Sequence, residues 1–288
     1  MNLKEVQYRF HKELDALYDK EEVDSFFFLL TEAYFKVTRL KLAMEPQLTI
    51  NNYDPILAAL DSLKQQQPIQ YILGETDFFG LSFKVNENTL IPRPETEELV
   101  AWIISEFRNQ KTELKILDIG TGSGCIAISL AKKIPNAKVY ALDVSAEALK
   151  IAKQNADSND VKVSFFQANI LEIQNLQTII NNLNFDIIVS NPPYVRELEK
   201  ELMKPNVLDN EPHLALFVDD NNPLIFYKAI AQFAVNKLIE KGMLFFEINE
   251  YLGEDMIQLL EANQFKDIEL KKDFFKKDRM IKGVKIND

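Results

Sequence analysis

From Asn88 onward, short apolar runs alternate with segments that have helical spacing. Apolar runs rich in β-branched and aromatic residues and bounded by polar turns are typical of buried strands, and apolar positions three to four residues apart are typical of helices. Such a succession predicts right-handed β-α-β units and therefore a mostly parallel sheet. Strands are expected at 115–120, 139–144, 161–168, 185–190, 242–248, 265–271 and 279–286, and helices at 124–133, 146–157, 174–182, 223–239 and 252–262.

The last two predicted strands are joined by a connection with no helix, FFKKD at 274–278. Parallel neighbours need a long crossover, so these two strands must be antiparallel. The chain therefore predicts an α/β domain with a seven-stranded sheet that is parallel except at one end.

The first 70 or so residues lack strand alternation and predict only helices. One segment, FFFLL at 26–30, is unusually apolar. It either packs inside a small helical bundle or forms a face for a partner. The helices are expected at Leu3–Tyr18, Glu21–Phe35, around Leu40 and at Tyr53–Gln66.

Between these two regions, the segment ETDFFGLSFKV alternates around Gly80 like a two-stranded hairpin. We therefore predict three parts: a helical domain at 1–73, a β-hairpin connector at 74–87, and the sheet domain at 88–288.

Three glycines, Gly120, Gly122 and Gly124, follow the strand KILDIG and open a helix. Glycines here permit positive φ and close passage of the backbone along a ligand, while the helix N-terminus offers free N–H groups. The spacing differs from the dinucleotide fingerprint, because the third glycine comes one residue early. Asp118 at the strand end would repel a pyrophosphate and suits a ligand with a positive end.

About twenty residues further on, Asp143 ends the next strand, a position from which a carboxylate can bind a ribose diol. S-adenosylmethionine has both a cationic end and a ribose. Either acid alone is equally compatible with a helix cap or a surface position. Together, at the carboxyl ends of adjacent strands, they favour a methyl-donor site over a nicotinamide site.

The strand FDIIVS is followed by Asn191, Pro192, Pro193 and Tyr194. Pro192 biases Asn191 away from the helical region, and the two prolines fix the backbone. The Asn191 side-chain carbonyl and the Pro192 backbone carbonyl can accept both protons of a planar NH2 group, and the ring of Tyr194 can cover that plane. The alternative is a plain proline-terminated loop.

Composition narrows the function classes. The 33 basic and 44 acidic side chains among 288 residues give a net charge of −11, which opposes non-specific binding to nucleic acid.

Apolar stretches are too short for a membrane span and the N-terminus has no cleavable apolar core, so a cytoplasmic protein is expected. Cys125 is the one cysteine and there are two histidines, which argues against a Cys/His metal site, and we expect no metal. Cys125 is interpreted as a small buried residue.

With these motifs in hand, the chain resembles the protein-(glutamine-N5) methyltransferases that modify peptide chain release factors. The resemblance covers most of the chain. It rests on the segments 68–100 (with IPRPETE), 118–131 (DIGTGSGCIAISLA), 190–195 (SNPPYV) and 211–216 (EPHLAL). NPPY alone is shared with amino-group methyltransferases of DNA and RNA bases, so IPRPETE and its distance from DIGTGSG indicate the release-factor group.

The resemblance implies a Rossmann-like methyltransferase domain preceded by a helical domain for substrate recognition. It implies that S-adenosyl-L-methionine is converted to S-adenosyl-L-homocysteine as a glutamine of a Gly-Gly-Gln loop is methylated. Release factors are then the protein partners, without a need for nucleic acid or a membrane. The sequence leaves the oligomeric state open, with a monomer favoured. The expected donor-binding residues are Asp118, Gly120, Thr121, Gly122, Ser123, Gly124, Asp143, Asn169, Ile170 and Asn191; the substrate amide is expected to meet Asn191, Pro192, Pro193 and Tyr194, of which Asn191, Pro192 and Tyr194 are assigned to catalysis.

Two positions depart from the family pattern. Asn169 and Ile170 stand at the expected adenine edge where such enzymes usually have an acid followed by an aromatic, which predicts weaker donor binding. Asn249, in EINE, stands where the family tends to have glycine, which puts the local turn in question.

Other roles and functions stay open. Arg93 either fastens the hairpin to the sheet domain or lines the substrate mouth, and Glu211 either holds the loop after NPPY, contacts substrate or is a solvated turn acid. A base amino-methyltransferase would need basic recognition segments. A nicotinamide-dependent oxidoreductase is disfavoured by the glycine spacing, and a non-catalytic binding module by the presence of both donor and acceptor motifs.

Overall fold

The computed structural model describes residues 2–107, 113–172, 180 and 182–286. The chain divides into two compact units. One comprises residues 1–74 together with 204–210, and the other comprises 75–203 and 211–288. In this division the segment 204–210 groups with the helical unit and the hairpin at 75–84 groups with the sheet unit. The three-part organisation at 1–73, 74–87 and 88–288 stays a prediction.

The helical unit is an assembly of short amphipathic helices around one apolar cluster. Its helices are α1 (Leu3–Leu14), α2 (Lys20–Phe35), α3 (Arg39–Met44), α4 (Asp54–Lys64), α5 (Ile69–Leu73) and, later in the chain, α9 (Pro205–Leu208). Asn2 caps α1 by accepting from Glu5 N at 2.9 Å, while the Glu5 carboxylate accepts from Asn2 N, which forms a capping box.

The apolar segment 26–30 belongs mainly to the interior of this bundle. Phe26, Phe27 and Leu30 are buried in the cluster, and only Leu29 in this segment is exposed. The packing interpretation is therefore confirmed for these side chains. The structure adds α5, which was not predicted from the sequence.

The sheet unit is built on seven strands, whose bounds are β3 (Lys115–Ile119), β4 (Lys138–Asp143), β5 (Val163–Gln167), β6 (Phe185–Ser190), β9 (Leu238–Glu247), β10 (Phe265–Lys272) and β11 (Asp278–Lys285). Their order in the sheet is β10-β11-β9-β6-β3-β4-β5. Strands β3, β4, β5, β6 and β9 pair in parallel, and β10 and β11 are antiparallel neighbours, as predicted. The structure adds that β11 also pairs antiparallel with β9.

Helices cover both faces of the sheet. One apolar layer joins the sheet to α6 (Pro94–Phe107), α7 (Cys125–Lys133), α8 (Ala146–Ser158) and the hairpin, and the other joins it to α11 (Ile225–Lys237) and α12 (Gly253–Ala262). The helix predicted near 174–182 falls mostly on residues outside the described ranges. The helix predicted to end at Ile239 ends at Lys237, because β9 already begins at Leu238 and is bulged before Met243.

The hairpin consists of β1 (Glu75–Phe78) and β2 (Leu81–Lys84). Phe79 and Gly80 have φ values of 51° and 73°, the positive pair that a tight two-residue turn requires. Asn155 of α8 holds β2 in place, since its amide donates to Lys84 O at 3.0 Å and accepts from Lys84 N at 2.7 Å. The same amide donates to Ser123 O at 2.9 Å, so it connects the hairpin to the glycine-rich loop.

The region between NPPY and α11 consists of short helices and strands. It contains β7 (Val195–Arg196), a 3-10 helix (Glu197–Leu202), α9, α10 (His213–Leu216) and β8 (Phe217–Val218). Within the described ranges, no helix is long and apolar enough to cross a membrane.

Candidate active site

A cavity opens at the carboxyl ends of β3, β4, β5 and β6, and all the residues that line it belong to the sheet unit. This is the edge of a doubly wound sheet at which ligands bind. Predicted site residues account for eight of the lining positions: Gly120, Gly122, Asp143, Asn169, Ile170, Asn191, Pro192 and Pro193. The sequence did not single out other lining residues, which include Glu87, Asn88, Leu90, Ser145, Leu214 and Phe226.

The glycine-rich loop passes the cavity with left-handed backbone. Gly120 and Gly122 have φ of 73° and 55°, and a Cβ at either position would meet no atom within 4 Å. Glycine is required there by conformation, while the space beside the backbone stays open for a ligand. Gly124 differs, because a Cβ there would lie 2.8 Å from Ile128 Cδ1.

Asp143 faces the cavity from the end of β4. Its Oδ2 accepts from Gly122 N at 2.8 Å and its Oδ1 accepts from Ser145 N at 2.9 Å. Burial raises the pKa of this carboxyl, and the backbone N–H groups oppose that rise. A carboxylate oxygen has more than one acceptor site, so both oxygens can still accept from a diol.

Asp118 has a different environment from the one expected. It is fully buried and does not line the cavity. Its Oδ2 accepts from Thr121 Oγ1 at 2.6 Å, while its Oδ1 is buried and has no hydrogen-bond partner among the residues that the structure describes. Burial raises the pKa of the carboxyl to about 7. Thr121, Ser123 and Gly124 also stand behind the cavity wall, so they shape the loop instead of facing the space.

Asn169 and Ile170 border the cavity after β5. The amide of Asn169 is engaged locally, since Oδ1 accepts from Leu171 N at 3.0 Å and Nδ2 donates to Glu172 Oε1 at 3.2 Å. Ile170 is 7% exposed and packs in the core beneath the cavity. The departure from the family pattern thus leaves an apolar wall and an amide at this edge.

Asn191 follows β6, whose end is pinned by Ser190 Oγ donating to Ile119 O at 2.6 Å. Asn191 Nδ2 donates to Thr96 Oγ1 at 3.4 Å. Throughout the described ranges, neither Asn191 Oδ1 nor the Pro192 carbonyl accepts a hydrogen bond from the protein. Two acceptors at the cavity wall are therefore available to an NH2 group.

Tyr194 does not line the cavity; its hydroxyl donates to Glu247 Oε1 at 3.0 Å. Burial and the nearby Glu247 carboxylate raise the pKa of this phenol above its ordinary value, so it is unsuited to act as a base. Asn249 donates to Tyr194 O at 3.2 Å and to Glu199 Oε2 at 3.0 Å. Asn249 is not among the residues with positive φ, so this turn has no need of glycine.

Glu211 is buried and forms an ion pair with Arg93, and its Oε2 accepts from Ile91 N at 3.1 Å. The interpretation of Glu211 as a solvated turn acid is therefore wrong, and the pair fastens the loop after NPPY to the IPRPETE segment.

Burial raises the pKa of the Cys125 thiol to about 12, which keeps it protonated at the start of α7. Within the described ranges, no three His, Cys, Asp or Glu side chains form a metal-binding group.

Comparison with known proteins identifies the family. The release factor glutamine methyltransferase of Flavobacterium psychrophilum is 53% identical over 286 residues, covering 98% of this chain and 99% of the relative. This chain belongs to the release factor glutamine methyltransferase family. A second member, from Bacteroides thetaiotaomicron, is 43% identical and covers 93% of this chain and 95% of its own length.

Two further comparisons agree with membership of the release factor glutamine methyltransferase family. A family model described as "Methyltransferase small domain" matches residues 100–214, which include the glycine-rich loop and NPPY. A methyltransferase structure from Pyrococcus furiosus covers 73% of this chain and 91% of its own, with a TM-score of 0.52 and 18% identity. That likeness extends to the fold, a class I methyltransferase sheet.

Proposed function

We propose that this chain transfers a methyl group from S-adenosyl-L-methionine to the side-chain amide nitrogen of a glutamine in the Gly-Gly-Gln loop of peptide chain release factors. The observation that carries the proposal is the pair of available acceptors, Asn191 Oδ1 and the Pro192 carbonyl, at the wall of the cavity. Full-length similarity to release factor glutamine methyltransferases supports the substrate class.

The cavity suits this methyl donor. The backbone at Gly120 and Gly122 leaves open space, Asp143 offers carboxylate oxygens for a ribose, and Ile170 offers an apolar surface for a base. When bound, the donor supplies an electrophilic methyl group on a sulfonium.

The chain's own residues would activate the amide. An amide nitrogen is a poor nucleophile because its lone pair is delocalised, so it must be oriented and made more electron-rich. Acceptance of its two protons by Asn191 and Pro192 does both. These protons become more acidic as the nitrogen gains positive character, and the same two acceptors then stabilise the transition state more than the ground state. The donor leaves as S-adenosyl-L-homocysteine, and the nitrogen, which is strongly acidic once it carries the methyl group and a positive charge, releases one of its two protons to water. A strong general base is therefore unnecessary.

The assigned roles of individual residues remain part of this proposal. Asp143, the glycine-rich loop, Asn169 and Ile170 would bind the donor. Tyr194, which does not line the cavity, would hold the NPPY segment through Glu247 instead of covering the amide. We also propose that the helical unit recognises the release factor and that the reaction takes place in the cytoplasm without nucleic acid. The alternative that uses the same motif, methylation of a base amino group, has less support, because the net charge of −11 opposes binding of a polyanion.

The test is to incubate the protein with isotopically labelled donor and a purified release factor, and then to locate the methyl group by peptide mass spectrometry. We expect label on the glutamine of the Gly-Gly-Gln peptide. A release factor in which that glutamine is replaced by glutamate, which has no NH2 group, serves as the matched control and should stay unlabelled. Label on added DNA or RNA, with none on the release factor, would reject the proposal in favour of base methylation.

A further inference from the structure

A buried carboxylate lies behind the NPPY segment. Glu247, at the end of β9, is 1% exposed, and its two oxygens accept from two hydroxyl groups. Oε2 accepts from Thr96 Oγ1 at 2.6 Å and Oε1 accepts from Tyr194 OH at 3.0 Å. Burial raises the pKa of this carboxyl. Burying an acid is costly, so its contacts call for a functional explanation.

The hydrogen bond between Thr96 and Glu247 also determines how Thr96 contacts Asn191. Thr96 has one hydroxyl proton, which it donates to Glu247, so Thr96 Oγ1 is an acceptor toward its other neighbour. That neighbour is Asn191 Nδ2, 3.4 Å away. A side-chain amide has a donor end and an acceptor end that differ little in shape, and its hydrogen bonds decide which end points where. The contact with Thr96 occupies the donor end of Asn191 and leaves Oδ1 for a ligand.

We propose that Glu247 is a positioning residue for methyl transfer, which acts through Thr96 to fix the acceptor end of Asn191 toward the substrate and also holds Tyr194. The inference rests on the proposed function, because it assumes that the substrate presents an NH2 group. Glu247 connects to both ends of the NPPY segment from a different strand, and Asn249, two residues further on, holds the carbonyl of Tyr194. The end of β9 is thus a support for the whole segment.

Glu247→Gln keeps the shape of the side chain and changes its hydrogen bonding. Glutamine has one acceptor atom and one donor group where the carboxylate has two acceptors. If the new NH2 group faces Thr96, the threonine hydroxyl must turn toward Asn191, and the asparagine amide is then driven to reverse. If it faces Tyr194, the phenol loses its acceptor. Either arrangement disturbs one end of NPPY.

The kinetic test compares Glu247→Gln with Glu106→Gln in the methylation of a purified release factor. Glu106 is a matched control on α6, the helix that carries Thr96. It accepts from Trp102 Nε1 at 2.9 Å and from Lys282 Nζ at 2.7 Å, and neither of these partners is a site residue. We expect Glu247→Gln to lower kcat roughly 10- to 100-fold, the scale of a small misplacement, with an unchanged dissociation constant for the donor. Glu106→Gln should keep the wild-type kcat.

Coupling to Asn191 distinguishes positioning from general stability. The losses of kcat in Glu247→Gln and Asn191→Ala should combine to less than the product of the two single effects, because one acts through the other. Independent multiplication of the two effects would overturn the proposal. If Glu247→Gln lowers the unfolding midpoint more than Glu106→Gln does, Thr96→Val replaces it, since valine keeps the shape and removes the hydroxyl.

A readout without turnover distinguishes this inference from the proposed function. The side-chain NH2 resonances of Asn191 should move in Glu247→Gln and stay in place in Glu106→Gln. If wild-type protein fails to methylate any release factor, the proposed function is rejected and the resonances still decide the positioning role. Unchanged Asn191 resonances in both Glu247→Gln and Thr96→Val would overturn the positioning role whatever the substrate.

Discussion

Two oxygen atoms, Asn191 Oδ1 and the Pro192 carbonyl, decide which substrates the proposed site can bind. Both are acceptors, so an NH2 group satisfies them and a carboxylate does not. A site built to pair with N–H groups strongly rejects an analogue that lacks them, because the polar atoms of the site are then left unpaired. The geometry therefore favours glutamine over glutamate at the same position of a release factor.

Asn191→Ala removes one of these acceptors. We expect kcat to fall roughly 10²- to 10³-fold, the scale seen when one preorganised polar group is taken from a transition-state site. Steady-state kinetics with labelled donor measure the effect, and circular dichroism serves as the control for folding. Turnover close to that of wild type would reject the role of Asn191.

Asp143→Ala should act on the donor instead. The change removes the carboxylate expected to bind the ribose and also two hydrogen bonds, from Gly122 N and Ser145 N. We expect donor binding to weaken by roughly 1 to 3 kcal/mol. Titration calorimetry measures this, and Asp186→Ala, which alters a carboxylate that accepts from Lys115 N outside the cavity lining, is the control. Equal affinities in the two variants would contradict the assignment.

Asp118 predicts a pH dependence of stability. Its pKa is raised to about 7 in the folded protein, above its ordinary value of 3.8. The protonated form is therefore favoured by folding, so this contribution is fully present below about pH 4 and is lost as pH rises through about 7. The free energy of unfolding should fall between pH 5 and pH 7.5, and it should fall less in Asp118→Asn. Urea unfolding at both pH values checks this, and parallel curves for the two proteins would refute it.

At the scale of elements, the start of α7 has two glycines with different requirements. A Cβ at Gly122 meets nothing within 4 Å, whereas at Gly124 it lies 2.8 Å from Ile128 Cδ1 and 3.2 Å from Ala152 Cβ. Both residues have positive φ, so alanine is strained by about 1 to 2 kcal/mol at either position. The clash applies to Gly124 alone, and it ties the start of α7 to the packing of α8.

Gly124→Ala should therefore lower the free energy of unfolding more than Gly122→Ala does, by roughly 1 to 3 kcal/mol, the usual cost of overpacking. Gly122→Ala should instead affect donor binding, since its methyl group would point into open space beside the cavity. Denaturant unfolding and calorimetry on both variants give the comparison. Equal stabilities would show that Ile128 moves aside at little cost.

Most elements of the sheet unit could be predicted because their signals are local. KILDIG and FDIIVS are continuous apolar runs, and the glycine-rich loop and NPPY are compact motifs. The supporting network could not be predicted. Thr96 and Glu247 are separated by 151 positions, and nothing in EINE indicates that its first residue accepts from a threonine and a tyrosine.

The elements after NPPY were also missed, for a different reason. β7 and β8 are two residues each, and α9 and α10 four residues each. Periodicity needs a longer window than these elements offer.

Asp118 was expected to face the donor because a strand end points to a ligand in this fold, yet the loop that follows it closes over the carboxylate. Only the three-dimensional path of that loop reveals this.

At the scale of the whole molecule, the proposed division of labour assigns chemistry to the sheet unit and recognition to the helical unit. The helical unit exposes apolar side chains that its own core does not use. Leu40 and Met44, which are 70% and 74% exposed, lie one turn apart on α3. Residues four apart share a helix face, so these two form a small apolar pair that is available to a protein partner.

Leu40→Ala with Met44→Ala should therefore reduce kcat/KM for an intact release factor, by roughly tenfold if the pair contributes about 1.4 kcal/mol, and leave a short glutamine peptide unaffected. Alanine preserves helix propensity. Ile239→Ala, at a 40% exposed position near the start of β9, is the control. Equal losses on protein and peptide would mean that the helical unit only supports folding.

The assignment of 204–210 to the helical unit also has a consequence for the order of events during synthesis. Residues 1–74 leave the ribosome before the rest of this sequence, but the last piece of their unit, 204–210, follows about 130 residues later. By then four of the seven strands of the main sheet, β3, β4, β5 and β6, have been synthesised. Domains usually fold as units in the order of translation. Here the first unit to be synthesised lacks one of its segments until residues 204–210 have been added. We therefore expect the helices of residues 1–74 to be less protected from hydrogen exchange in a nascent chain stalled before Lys204 than in one that extends beyond Asn210.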